Sequence, residues 1–342
     1  MSQETCHMSI IIHPRWGDRK EGVKMNMKNS KWMVLVLMLA LVFTACGKTS
    51  DKKNETSTAS EVTATPEATA TPTEGAATAT PEATAPETEI KKIVSFSPSI
   101  TEIIYALGAG DMLVGRTDYC DYPEEALQVE SIGDFYTPNI EKVVSLEPDV
   151  VVASALWTDD IAAKFTEAGI EVLVLEENAK VDDVYAMITT LGTTFGKETE
   201  AATLVDSMKA ELTTITDAIS GLEAKSVYYV VGYGESGDYT ATGDTYINDM
   251  LTLAGGDNIA KDATGWSYSL ETLIEKDPEV ILIGSYAIDD FLAAANYQGL
   301  SAVKNKQVYA VDTNLLDRQS NRTIEGIRLI ASILHPEAVS AN

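Results

Sequence analysis

Lys197 to Ser220 contains neither glycine nor proline and places apolar side chains at Ala201, Leu204, Val205, Met208, Leu212, Ile215 and Ile219. Steps of three and four residues put these on one stripe of a helix about 36 Å long, at ~1.5 Å of rise per residue. Gly221 follows as a stop signal. The helix constrains the fold because of where it falls. On each side lies a stretch in which short apolar runs alternate with helical patterns, in the same order. One helix joining two similar lobes predicts a binding protein with its site in the cleft between them.

The repeat is legible in particular residues. IEKVVSLEPDVVVAS (140–154) and LETLIEKDPEVILIGS (270–285) each carry a glutamate seven residues before a proline, followed by an apolar run. LGAGD (107–111) is echoed by AGGD (254–257). Val150–Ala153 and Val280–Ile283 are continuous apolar runs, the pattern of parallel strands covered on both faces. Strands alternating with helices imply two parallel-sheet domains. Gly232-x-Gly234-x-x-Gly237 follows a strand as a dinucleotide loop would. The polar run SGDYTATGD comes next, with no apolar helix to receive a pyrophosphate, so a turn at the cleft edge is predicted.

The front of the chain reads as targeting sequence. Lys28–Lys31 is basic, and the apolar run Trp32–Ala45 spans only about 21 Å as a helix, short of the ~30 Å hydrocarbon core. Together they describe a signal peptide over 27–46, with 1–26 an upstream extension. Val42-Phe43-Thr44-Ala45-Cys46-Gly47 resembles the lipobox of bacterial lipoproteins, which implies that Cys46 becomes a lipidated N-terminus. Residues 47–89 are nearly all Thr, Ala, Glu, Pro and Ser, and ATPEATAT (64–71) recurs as ATPEATAP (79–86). Such a segment has little to bury and is expected to be a disordered tether, reaching on the order of 35–40 Å. The N-terminal lobe is then 90–180, the linking helical segment 181–221 and the C-terminal lobe 222–342.

Charge and chemistry narrow the function. The chain carries 25 Lys+Arg against 52 Asp+Glu, a net −27. Six basic and three acidic residues precede Cys46, so the remainder carries −30. Nucleic acid and anionic membrane surfaces are repelled by such a chain. Three cysteines (Cys6, Cys46, Cys120) are too few and scattered for a disulfide framework or zinc site. There is no G-x-S-x-G elbow, no P-loop and no histidine placed beside a nucleophile, so an enzyme is not expected.

The body is similar to the substrate-binding proteins of ABC importers for vitamin B12 and iron–siderophore complexes. The matching stretches are IVSFSPSITEIIYALGAGDMLVGRTDYCDYPEEA (93–126), NIEKVVSLEPDVVVAS (139–154), the linking helix, GWSYSLETLIEKDPEVILIG (265–284) and VKNKQVYAVD…LHPE (303–337). The resemblance implies an α/β fold of two Rossmann-like lobes with mostly parallel sheets, bridged by one long α-helix, with small closure on binding. It implies a monomer, lipid-anchored on the extracytoplasmic face, that delivers a metal chelate to a permease dimer driven by a cytoplasmic ATPase. No cofactor is implied: the transported ligand is a corrinoid or, alternatively, a ferric siderophore or haem. A surface sensor or scavenger without a transporter is a third reading.

Glu141 and Glu271 follow the N-cap residues Asn139 and Ser269 and fall in first helical turns. There each complements a helix dipole, worth ~0.3–1 kcal/mol without any further role. The resemblance gives them another: docking onto arginines of the two permease subunits. Tyr119, Phe135, Trp157, Tyr239, Trp266 and Tyr268 are the ligand-binding candidates, large aromatics near the carboxyl ends of strands, where α/β sheets bind ligands. Each is equally readable as core. Arg116, Arg318 and Arg322 are either cleft cations or salt-bridge partners. Cys120 reads as an unpaired structural thiol. His335 reads as a surface or helix-end residue, which argues against haem held by histidine.

Overall fold

The computed structural model describes residues 89–340 apart from 135, 155–157 and the side chains of 159 and 160. The signal peptide, Cys46, nearly all of the tether, Phe135 and Trp157 therefore lie outside the described residues.

The first half contains β1 (Ile93–Ser95), α1 (Pro98–Ala106), β2 (Leu113–Arg116), α2 (Ile140–Leu146), β3 (Val150–Ala153), α3 (Asp159–Glu167) and β4 (Glu171–Val174). Its four strands form one parallel sheet in the order β2-β1-β3-β4. Two helices follow, α4 (Val181–Thr194) and α5 (Glu198–Ala218). The second half contains β5 (Lys225–Gly232), β6 (Asp238–Thr240), α6 (Tyr246–Leu253), β7 (Gly256–Asn258), β8 (Ser267–Tyr268), α7 (Leu270–Lys276) and β9 (Val280–Gly284). It ends with α8 (Ile288–Ala293), α9 (Ser301–Lys304), β10 (Val308–Val311), α10 (Thr313–Asp317) and α11 (Thr323–Leu334). Its sheet runs β10-β9-β5-β6-β8, with β7 also paired to β5. β10, β9, β5 and β7 are parallel, whereas β6 pairs antiparallel with both β5 and β8. The glycine-rich stretch 232–237 is the hairpin between β5 and β6, with Gly234 and Gly237 in the left-handed region at φ 96° and 103°.

The internal repeat extends to its hydrogen bonds. Asn139 caps α2 by accepting from Lys142 N at 2.9 Å, and Ser269 caps α7 by accepting from Thr272 N at 3.0 Å. Both helices end on a left-handed acidic residue, Glu147 at φ 50° and Asp277 at φ 41°. A proline stops each helix, and the acid after it ties down the neighbouring strand. Asp149 accepts from Lys91 N and Lys92 N ahead of β1, and Glu279 accepts from Ser226 N in β5. These backbone bonds hold both carboxyl groups below their ordinary pKa.

Alternation along the strands decides where each core lies. Ile93, Val150 and Val152 on one sheet, and Val227, Tyr229, Val280 and Leu282 on the other, belong to one continuous core. α4, α5 and α11 contribute Ile188, Leu191, Val205, Met208, Ile327 and Ile330 to it. The opposite faces form separate cores: Val94, Phe96, Val151 and Phe165 in the first lobe, and Tyr228, Val230, Ile281 and Ile283 in the second. Both sheets thus turn one face toward a shared helical layer. In α5, Ala201, Val205, Met208 and Ile215 are buried and Leu204, Leu212 and Ile219 are partly buried, the stripe expected from the spacing.

Candidate functional site

The segments leaving β1, β2 and β4 meet the end of β5 and the residues that follow β10. Glu102, midway along α1, has no exposed side-chain surface and lies among three residues of the second lobe. Its Oε1 accepts from Arg318 Nη1 at 2.9 Å and Arg322 Nη2 at 2.6 Å. Its Oε2 accepts from Ser320 Oγ at 2.5 Å and Arg322 Nε at 3.0 Å. Arg318 also pairs with Asp121 at 2.8 Å, and the Arg322 guanidinium stacks 3.9 Å from the Tyr122 ring. Arg322 and Arg318 are therefore bound by protein acids. Arg116 is buried and donates to the carbonyls of Ala126 and Thr117, which holds the loop bearing Tyr119 and Tyr122 in place. A second bridge joins Lys180 to Asp249 at 2.7 Å, and Asp249 also accepts from Val181 N.

A cavity of about 450 Å³ opens between the segment after β4 and the second lobe. Glu177, Asp244, Trp266, Asp317 and Gln319 are among its walls. Glu177 accepts from Ser154 Oγ at 2.5 Å and Ser99 Oγ at 3.3 Å, which fastens it to the end of β3 and the first turn of α1. Trp266 is 42% exposed and has φ 69°, an unusual conformation for a bulky side chain. Neighbours impose it: Trp266 N donates to Thr242 Oγ1, Thr240 N donates to Trp266 O, and Asp244 accepts from Gly265 N and Thr242 Oγ1. The Thr242 hydroxyl is the main cause of the lowered pKa of Asp244. Backbone strain of this kind costs about 1–3 kcal/mol and is characteristic of ligand clamps. Burial pushes Asp317 up to about 6, against a downward pull from the hydrogen bond of Tyr229 Oη at 3.1 Å. Asp317 keeps an exposed face although the surrounding wall crowds out much of its water.

The other expected site residues are dispersed. Tyr119 is 49% exposed on the loop after β2, and its carbonyl meets Arg318 Nη2 at 3.5 Å. Tyr239 is exposed on β6, with its hydroxyl on the Ser236 carbonyl. Tyr268 is not part of this cavity wall. It packs against Tyr228 with ring centroids 5.7 Å apart and donates to the Ile259 carbonyl. Glu141 and Glu271 are exposed, and neither enters an ion pair among the described residues. Cys120 is fully buried against Thr117 Oγ1, and burial raises its pKa. His335 lies at the C-terminal end of α11, as one of its two readings had it, but is buried rather than on the surface, with Nε2 3.1 Å from the Gly255 carbonyl and outside the cavity wall. Glu102, Glu177, Asp244, Asp317 and Gln319 were missed. The charged run DTNLLDRQSNR directly after a strand was the one available signal.

A larger cavity of about 970 Å³ lies by Lys225, Glu279, Val280 and Gln307, at the amino ends of the second sheet. Open α/β sheets bind ligands at the opposite end, so the inter-lobe cavity is the candidate site.

Two α/β lobes around a shared helical layer, with a cleft at their strand ends, define a bilobal solute-binding protein. Residues 93–315 match the model of the periplasmic binding protein family, and the chain belongs to that family of transport proteins. It is 38% identical over 261 residues to the uncharacterized ABC transporter substrate-binding lipoprotein YvrC of Bacillus subtilis, covering 73% of this chain and 81% of that one. The cobalamin-binding protein of Halobacterium salinarum is 31% identical over 263 residues, covering 72% and 70%. The crystal structure of the periplasmic vitamin B12-binding protein BtuF of Vibrio cholerae superposes with TM-score 0.62 at 27% identity, covering 72% and 97%.

Proposed function

We propose that the protein captures a corrinoid in the inter-lobe cleft and hands it to the permease of an ABC importer, itself catalysing nothing. The observation that carries this reading is the charge of the cleft. The cavity wall includes three carboxylates and no cation among the described residues, and the adjacent arginines are neutralised by Glu102 and Asp121. A tricatecholate or a dicarboxylate ring would enter against that field, whereas a flat, amide-rimmed macrocycle brings apolar surface to Trp266 and donors to the acids. Two relatives named for cobalamin or vitamin B12 support the same ligand. A cationic ferric hydroxamate is the second reading, favoured by the same acidic wall.

The name of the Bacillus subtilis relative supports lipid anchoring through Cys46, and no helix among the described residues is long and apolar enough to cross a membrane. Glu141 and Glu271, repeated on corresponding helices of the two lobes, are the proposed contacts for two permease subunits.

Thermal-shift measurements with cyanocobalamin, cobinamide, haem, ferric enterobactin and ferrioxamine B test the ligand. Cyanocobalamin at ~100 times its Kd should add about 2.7 kcal/mol of stability. A shift with enterobactin alone would overturn the charge argument. Trp266→Ala should weaken cyanocobalamin binding by roughly tenfold or more with the melting temperature nearly unchanged, the loss expected of one large aromatic contact. Wild-type affinity in that variant would remove Trp266 from the site.

A further inference from the structure

The two ends of the body are told apart by where the chain enters it. The described residues begin at Glu89, four before β1. Asp149, just ahead of β3, accepts from Lys91 N at 2.8 Å and Lys92 N at 2.9 Å, and Lys92 Nζ donates to the Leu146 carbonyl at 3.2 Å. Chain entry is thereby pinned to the amino ends of the first sheet, beside the last turn of α2. Glu141 sits in the first turn of that helix, at its other end. α4 shows the same polarity over a longer distance. Asn178 and Ala179, just before it, line the inter-lobe cavity, whereas Thr193 and Thr194, in its last turn, share a second cavity with Glu89 and Ile90. Its 14 residues separate the two by about 21 Å. In the second lobe α7 starts four residues after the cavity residue Trp266 and ends at Lys276, and Glu279 beyond it holds Ser226 N near the start of β5. Both Glu141 and Glu271 therefore lie toward the cavity end of the body, and the chain enters at the opposite end.

A permease spans the membrane, so contacts through Glu141 and Glu271 turn the cavity end toward the bilayer and the chain entry away from it. We infer that residues 47–89 act as a leash of limiting length: they must carry the chain from the lipid on Cys46 to the far end of the body, and only a leash long enough lets the cavity end meet the permease. This rests on the reading of Cys46 as the anchor and of Glu141 and Glu271 as permease contacts, and not on the identity of the ligand. A folded body of about 250 residues has a radius of gyration of about 18 Å. Taken as a sphere it is about 45 Å across, and the path over its surface from one end to the other is about 70 Å. Residues 47–89 are 43 in number and span at most about 140 Å at ~3.3 Å per residue. About 20 residues are the fewest that cover the path. A chain that entered beside the docking end would need almost none.

The test is a series of anchored chains in which the leash is cut and refilled. The readout is uptake of labelled cyanocobalamin and of labelled ferrioxamine B by cells that carry the importer. Deleting 51–60 leaves about 110 Å of reach and should keep uptake within about twofold of the full chain. Deleting 51–80 leaves about 45 Å and should lower uptake about tenfold or more. Replacing 51–80 by a Gly/Ser stretch of equal length should restore uptake to within about twofold, because reach and not sequence is what is used. The 51–80 deletion combined with Cys46→Ala, purified and added in excess to vesicles that carry permease and ATPase, should support uptake as well as the undeleted Cys46→Ala chain, since an unanchored body has no leash to limit it. Chelate affinity and melting temperature should match those of the full chain throughout.

Uptake within about twofold for the anchored 51–80 deletion would overturn the leash; if Glu141→Ala with Glu271→Ala still impairs uptake, the docking reading stands without it. Failure of the Gly/Ser refill or of the unanchored deletion would also overturn it, by giving the segment a role in its sequence. Loss of uptake in the anchored deletion, with none in the double glutamate variant, would leave the leash standing and remove those two contacts. No uptake by the full chain would overturn the importer reading and the leash with it.

Discussion

Glu102 shows what a single buried charge does at the junction of two lobes. Its carboxylate has no exposed surface and accepts four hydrogen bonds from Arg318, Ser320 and Arg322. Breaking a buried pair leaves the partner charges uncompensated, which costs about 3–5 kcal/mol, whereas exposed pairs contribute under ~1 kcal/mol. Glu102→Ala should therefore lower the urea-unfolding free energy by about 3–5 kcal/mol. Asp257→Ala, which breaks the exposed pair with Lys261, should change it by less than ~1 kcal/mol. Similar losses in the two variants would contradict the difference in burial.

Asp317 gives a pH prediction with a definite sign. Burial raises its folded pKa from 3.8 to about 6, with Asp312 adding to the rise and Tyr229 and Arg318 opposing it. Asp317 in turn helps burial raise the pKa of Tyr286. Between these two values the folded protein holds a proton that the unfolded chain releases, so this group's contribution to stability falls as pH rises through that window. Asp317→Asn lacks the contribution and should gain in melting temperature relative to wild type as pH rises from 3.8 to about 6. A constant difference across that range would show that the folded and unfolded pKa values coincide.

The repeated helices α2 and α7 end on the same left-handed conformation but with different attachments. Among the described residues the Glu147 side chain makes one exposed contact, with Lys92. Asp277 accepts from Ser301 N at 2.7 Å and Ser301 Oγ at 2.6 Å, which lower its pKa and fasten α7 to α9. Glycine adopts this backbone region without the Cβ cost of roughly 1 kcal/mol. Glu147→Gly should stabilise the protein by a few tenths to about 1 kcal/mol, measured by denaturant titration. Asp277→Gly should destabilise it, because two charge-assisted bonds are lost for the same relief. The α5 stripe was legible from spacing because period 3.6 is a local property. The β5–β6 hairpin was legible only as a turn, since pairing direction depends on a partner strand. Tyr268 was expected in the cleft because sequence position places a residue near a strand end without fixing where its side chain points.

At the scale of the molecule, a free-standing rod is an incomplete account of what holds the lobes. α5 buries one stripe, but α4, α11 and one face of each sheet belong to the same core. The Glu102 cluster and the Lys180–Asp249 pair cross the junction as well. Opening the cleft widely would expose that shared core and strand buried charges, which favours small movements over hinge closure. Small-angle scattering with and without saturating cyanocobalamin should give nearly equal radii of gyration. A large contraction would contradict the shared core. The two permease contacts are a property of this same scale. Glu141→Ala with Glu271→Ala should leave ligand affinity unchanged and impair uptake in vesicles, and unchanged uptake would remove the docking role.

By itself the amino-acid sequence determined the α/β alternation, the duplicated lobes, the bridging helix and the exposed glutamates at the starts of α2 and α7. These are written in periodicity, helix caps and stop signals that act over a few residues. The pairing of Glu102 with Arg318 and Arg322 and the convergence of Asp317, Gln319 and Trp266 on one cavity were decided only by tertiary structure. Those contacts join residues up to 220 positions apart. An ion pair or a cavity wall arises from where the folded backbone carries each side chain, and spacing along the chain does not encode that meeting.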